Sequence, residues 1–197
     1  MGKGEQTREM ILLRAARLFN EKGYYGASLA DVMEATGLQK GGLYNHFESK
    51  EQLALEAFDY AIERAGQKFT DALEGKRNAA DRLVAIVSVF RRYVDSPPVG
   101  GGCPIMNTAI ESDDANPALR DRARQAMERW RQMLRRIVTK GLERKELKPG
   151  TDPDRVATLL ISALEGGIML GKLYRNQAHL DWVADFLTKY IDKELRA

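Results

Sequence analysis

An all-α fold is predicted by three observations. Apolar residues recur at helical spacing in nearly every segment, no stretch alternates convincingly as a strand, and no proline interrupts the chain before Pro97. About nine helices are expected, arranged as a helix-turn-helix domain over residues 1–50 and a larger helical domain over residues 51–197.

The first helix runs from about Thr7 to Lys22, with Ile11, Ala15, Leu18 and Phe19 as its apolar stripe and Gly23 as its left-handed stop. The residues before it, Met1–Glu5, are expected to form a disordered end. A second helix begins at Ser28, where "SLAD" sets an acid three residues after the cap, as in a capping box, and ends at Gly37. A third covers roughly Gln39 to Phe47. A fourth starts at Ser49, where "SKEQ" again fits a capping box, and continues to about Leu73. Asn78 to Val94 makes a fifth, and "SPPVGGGCP" is the one clear loop.

Cys103 and Pro104 then fit the cap and first position of a short helix, and Asn116 and Pro117 open a long one. Along that helix Leu119, Ala123, Ala126, Met127, Trp130, Met133, Leu134, Ile137 and Val138 share one face, leaving most arginines on a solvated opposite face. Asp152 and Pro153 start the next helix, and the last spans about Leu180 to Leu195.

A chain of 197 residues can bury a sizeable core without disulfides or metal, and its single cysteine, Cys103, excludes an intrachain disulfide. With no secretory leader, the expected compartment is the cytoplasm. The most apolar window, Val156–Tyr174, is broken by Glu165, Lys172 and three glycines, which argues for a buried helix and against a membrane span. The net charge of +3 identifies no partner. Residues 1–50 carry seven Lys/Arg against six Asp/Glu, whereas residues 118–148 carry eleven against four. Charge alone therefore points away from the N-terminal region.

An enzyme finds little support, because there are only two histidines, no Glu-x-x-His pair, no phosphate-binding loop and no paired cysteines. No metal or cofactor is expected. A helical ligand-binding module without DNA binding is the other alternative class.

The stretch "GLQKGGLYNHFESKEQL" carries the chemistry. Two short helices joined at Gly37, over residues 28–47, have the size of a helix-turn-helix, whose second helix enters the major groove. Leu29, Val32, Met33, Leu38, Leu43 and Phe47 pack the unit, leaving Gln39, Lys40, Gly41, Gly42, Tyr44, Asn45 and His46 for DNA. Lys50 adds charge in the first turn of the next helix. The adjacent glycines cost about 1 kcal/mol each relative to alanine, so their missing bulk calls for a purpose. Close approach of the recognition helix to DNA supplies one.

From Leu18 to Leu53, "LFNEKGYYGASLADVMEATGLQKGGLYNHFESKEQL" resembles the DNA-binding domain of the TetR family of transcriptional repressors, most specifically in "LYNHF" followed by "SKEQL". The resemblance implies an all-helical homodimer that binds a double-stranded operator and is released by a small-molecule effector, with effector binding and dimerisation in residues 51–197. It implies that Gln39, Lys40 and Gly42 contact bases. Tyr44, His46 and Lys50 fall at phosphate-contacting positions, and Ser28 at the cap that approaches the DNA backbone. Members often carry threonine or serine at the place of Gly42.

For the effector pocket, Phe90, Met106, Met127 and Trp130 are the candidate apolar lining. Ala163, Gly167 and Gly171 recur every four residues as a smooth strip. The resemblance places a dimer interface on the last two helices, so the strip is assigned to it. "GGCPIMNTAIE" is similar to a subgroup that responds to electrophiles or oxidants, which makes Cys103 a candidate sensor thiol with Lys172 a candidate neighbour.

Overall fold

The computed structural model describes residues 2–112 and 116–197, which belong to two compact units, Met1–Ala65 with Pro98–Gln125 and Gly66–Pro97 with Ala126–Ala197. Among the described residues there are nine α-helices and no named strand, only an isolated antiparallel bridge between Leu147 and Arg196.

The first unit holds α1 (Lys3–Lys22), α2 (Leu29–Thr36), α3 (Lys40–Tyr44), the start of α4 (Lys50–Leu73), α6 (Pro104–Glu111) and the start of α7 (Pro117–Glu143). Its core gathers Ile11, Ala15 and Ala16 of α1, Val32 of α2, Leu43 and Phe47, and Leu53, Ala57 and Ala61 of α4. The expected stripe on α1 is thus borne out. The helix itself begins at Lys3, four residues before the expected Thr7, because the Glu5 carboxylate accepts the Gly2 N–H at 2.8 Å and satisfies an amide that the first turn leaves open. Of the end expected to be disordered, Lys3–Glu5 are helical, and Met1 lies outside the described residues.

Both helix-turn-helix caps form. Ser28 Oγ accepts the Asp31 N–H at 3.1 Å while Asp31 accepts the Ser28 N–H at 2.7 Å, and Gly37 closes α2 in the left-handed region at φ 71°. At α4, Ser49 Oγ accepts the Gln52 N–H at 3.0 Å, but Gln52 Oε1 reaches one residue further back to the Glu48 N–H, at 2.6 Å.

The second unit holds α5 (Ala79–Phe90), α8 (Pro153–Tyr174), α9 (Ala178–Tyr190), and the later parts of α4 and α7. Asn78 caps α5 and Asp152 caps α8, each accepting two backbone amides. Helix α5 stops at Phe90 and not at Val94, because the ladder tightens there: the Arg92 and Tyr93 amides bond three residues back, to the Val89 and Phe90 carbonyls at 3.4 and 2.8 Å, and the Gln177 side chain donates to the Arg91 carbonyl at 2.5 Å. The last helix starts two residues earlier than expected and widens into a π-type turn over Ile191–Leu195.

Helix α8 is long and apolar enough to cross a membrane by length and composition. Within its unit it packs against α9 and α5, burying Val156, Leu160, Leu164 and Ile168.

Candidate nucleic-acid interface

Helix α3 is shorter than the sequence predicts. Its regular part ends at Tyr44, and Asn45, His46 and Phe47 follow through amides bonded back to Gly41 and Leu43. Leu43 and Phe47 are buried in the core of the first unit. On the other side Gln39, Lys40, Gly41, Tyr44 and Asn45 are exposed, with Gly42 and His46 half-buried. Gln39 is the N-cap of α3 but makes no side-chain cap bond, so its amide is not used to close the helix. The Lys40 ammonium stands 5.8 Å from the centre of the Tyr44 ring.

Neither glycine of the pair is required by the fold. Among the described residues a Cβ on Gly41 would meet nothing within 4 Å, one on Gly42 would touch only the Leu38 side chain at 3.7 Å, and neither glycine has a positive φ. Their missing bulk is therefore unused inside the chain and stays available to an outside surface.

The flanking residues are more committed. Ser28 Oγ also bonds Asp31, at 2.5 Å, and Lys22 donates to Asp31 at 2.6 Å. The Lys22 bond comes first, with those of Ser28, in holding the Asp31 carboxyl well below the usual carboxylate range. The Lys50 ammonium donates to the Tyr24 carbonyl at 2.6 Å and lies 4.3 Å from that residue's ring centre. Burial pulls its pKa below the ordinary lysine value. Lys50 thus sits at the front of α4 as expected, already holding one internal partner.

Sequence reasoning missed what fixes the turn before α2. Glu111 of α6 accepts the Tyr24 and Tyr25 amides. Asn107 donates to the Asn20 carbonyl and side-chain oxygen, at 3.1 and 2.9 Å, and Asn20 in turn bonds the carbonyls of Gly100 and Gly102. These partners lie between 80 and 87 residues apart, and no local spacing encodes them.

The candidate effector residues divide. In the second unit Phe90 and Trp130 stack at 5.0 Å, with Phe69 and Tyr93 against Phe90 at 5.4 and 4.7 Å. Met127 is half-buried, and the Trp130 indole N–H is buried without a hydrogen-bond partner among the described residues. In the first unit Cys103 is the buried N-cap of α6 and Met106 is half-buried. Lys172 is exposed on α8, which does not suit the pocket lining expected of it.

The glycine strip is corrected by one residue. A Cβ on Gly167 would come within 2.8 Å of Leu180, and one on Gly171 within 2.7 Å of Val94, so these two glycines serve close packing inside the chain. Ala163 is half-buried. The outward face of α8 carries Leu159, Ser162, Gly166, Met169 and Leu173, and nothing lies within 4 Å of a Cβ on Gly166.

An exposed short helix bearing amide, ammonium and phenol groups, backed by a buried Leu/Phe pair and preceded by a capped helix, is the geometry of a helix-turn-helix DNA-binding protein. Residues 11–57 match the family model described as bacterial regulatory proteins, tetR family, and residues 79–187 match the tetracyclin repressor-like C-terminal domain. The HTH-type transcriptional regulator LmrA of Bacillus subtilis (strain 168) is 30% identical over 178 residues, covering 88% of this chain and 90% of LmrA. The HTH-type transcriptional repressor DhaR of Mycobacterium sp. (strain GP1) is 26% identical over 182 residues, covering 92% and 89%. The crystal structure of a TetR transcriptional regulator from Chloroflexus aurantiacus J-10-FL is 47% identical and superposes with a TM-score of 0.96, covering 100% of this chain and 99% of that one. This chain belongs to the TetR family of DNA-binding transcriptional regulators, and it is not an enzyme.

Proposed function

We propose that the protein is a homodimeric cytoplasmic repressor that binds a palindromic operator and is released by a small-molecule effector. Residues 1–50 read DNA, and residues 51–197 bind the effector and dimerise. The observation that carries this reading is α3: its exposed Gln39, Lys40, Tyr44 and Asn45 surround two glycines whose open space the fold does not use. Gln39 and Lys40 read base edges, and Gly41 and Gly42 let the backbone come close. Tyr44, His46, Lys50 and the Ser28 cap contact phosphates. A repressor role accords with relatives named as repressors, such as DhaR.

One surface and one buried cluster of the second unit support the remaining parts. Leu159, Met169 and Leu173 on α8 and Trp182 and Phe186 on α9 are large apolar side chains left exposed. We assign dimerisation to this face in place of the Gly167/Gly171 strip. The orphan Trp130 N–H beside the Phe90 stack suits an effector with a flat apolar body and one hydrogen-bond acceptor. A buried Cys103 does not favour a thiol switch, because oxidants act on accessible thiolates. Selection of bound sequences from a random DNA pool tests the reading. A palindromic motif with half-sites about one helical turn apart is expected, and a pool that shows no enrichment would defeat it.

A further inference from the structure

The second unit carries a strongly basic groove that operator binding, dimerisation and the aromatic stack leave unused. Arg129, Arg136 and Lys140 of α7, with Arg144 in the turn after it, line one wall. Lys76 and Arg77, from the turn before α5, line the other, with Arg82 donating to the Lys76 carbonyl at 3.1 Å. The floor is apolar, formed by Ala79, Met133, Ile137 and Gly141. The single carboxylate of the lining, Glu146, accepts the Ala79 N–H at 2.7 Å.

Pairing of the α7 arginines is one-sided. Arg122 is matched with Asp59, Arg124 with Asp121, and Arg131 and Arg135 with Asp154. None of the cations lining the groove makes an ion pair among the described residues. Arg136 and Lys140 also stand four residues apart on α7, where like charges weaken a helix. Three cations spread along α7 over roughly 16 Å, at 1.5 Å rise per residue, with Arg144 just beyond them, exceed what a single carboxylate or phosphate can neutralise. The recess holds about 840 Å³, inside the range of small-molecule sites.

We infer that this groove binds a small anion carrying a chain of phosphoryl groups, either free polyphosphate or the phosphate tail of a nucleotide. Guanidinium groups on both walls take the phosphate oxygens in pairs, and the apolar floor accepts whatever uncharged body the anion carries.

Titration calorimetry of the full chain at physiological ionic strength, with inorganic triphosphate and with ATP in separate arms, tests this. At least one should bind with a dissociation constant below about 1 mM. The double variant Arg136→Gln/Lys140→Gln, altered at exposed positions and checked for unchanged circular dichroism, should bind about tenfold more weakly or worse. A control variant, Arg122→Gln/Arg124→Gln, removes as much charge from the paired part of α7 and should bind as the wild type does. Binding by neither anion, equal binding by the groove variant, or equal loss in the control would each overturn the assignment. So would a random-sequence duplex that loses affinity in the groove variant while triphosphate and ATP do not bind.

Discussion

The carboxylate of Glu111 accepts the backbone amides of Tyr24 and Tyr25, at 2.9 and 2.8 Å, and so ties α6 to the turn that leads into the helix-turn-helix. Gly23 completes the arrangement. Its φ is 80°, and Glu111 Oε1 lies 2.5 Å from the point a Cβ would occupy, which leaves room for glycine alone. Glu111→Ala should cost about 1 kcal/mol, chiefly by removing the acceptor of the part-buried Tyr24 amide, since the exposed Tyr25 amide can turn to water. Urea denaturation and faster hydrogen exchange at Tyr24 and Tyr25 are the readouts. Unchanged exchange at both amides would show that the clamp is not formed in solution.

Gly42→Leu should fold with near-normal stability, because its Cβ meets only Leu38 at an ordinary contact distance. Operator affinity measured by fluorescence anisotropy should fall about tenfold or more, one lost bidentate base contact being worth about 1–3 kcal/mol. Wild-type affinity in a folded Gly42→Leu protein would remove the close approach from the mechanism.

Lys40→Ala and Lys50→Ala should separate by their salt dependence. Loss of a phosphate contact lowers the slope of log K against log salt by about 1 and weakens all sequences alike, whereas loss of a base contact changes sequence preference. Lys50 is expected in the first class and Lys40 in the second. Its bond to the Tyr24 carbonyl predicts that Lys50→Ala also lowers thermal stability.

Acid should act through Asp31. Its folded-state pKa is depressed by the bonds from Lys22 and Ser28, so its stabilising contribution is fully present above the ordinary carboxylate pKa of 3.8 and is lost as pH falls below it. Lys22, whose pKa the same pair raises, contributes below 10.5 and loses that contribution only at higher pH. Asp31→Asn should flatten the acid limb of the stability–pH curve. An unchanged limb would mean that the pair is not formed.

Leu173→Glu or Phe186→Glu should yield folded monomers in analytical ultracentrifugation, since both side chains are about two-thirds exposed. Gly167→Leu should act differently, lowering stability by about 1–3 kcal/mol through overpacking against Leu180 and Val183. A tight dimer from both glutamate variants would move the interface elsewhere.

Features set by local chemistry were legible in the sequence. The Ser28/Asp31 box, the Gly37 stop, the apolar stripes and the exposed set on α3 all follow from spacing within one or two turns. Features decided by tertiary partners were not. The strip of Gly167 and Gly171 looked like an outer face because four-residue spacing defines a stripe without saying which neighbour covers it. Only the positions of Leu180, Val183 and Val94 show that Gly166, one residue away, faces out. The early end of α5, where the Arg92 and Tyr93 amides turn back three residues and Gln177, 86 residues on, bonds the Arg91 carbonyl, carried no such local signal.

The bonds from Asn107 and Glu111 to the end of α1 also bear on how the protein can be cut and joined. A piece ending at Ala65 would contain every residue we propose to face DNA, yet it would lack the acceptor for two amides and the donor for Asn20. Chimeras that transplant operator recognition should therefore carry Pro98–Gln125 with the N-terminal helices, or be re-engineered at Asn20, Tyr24 and Tyr25 to close those bonds another way.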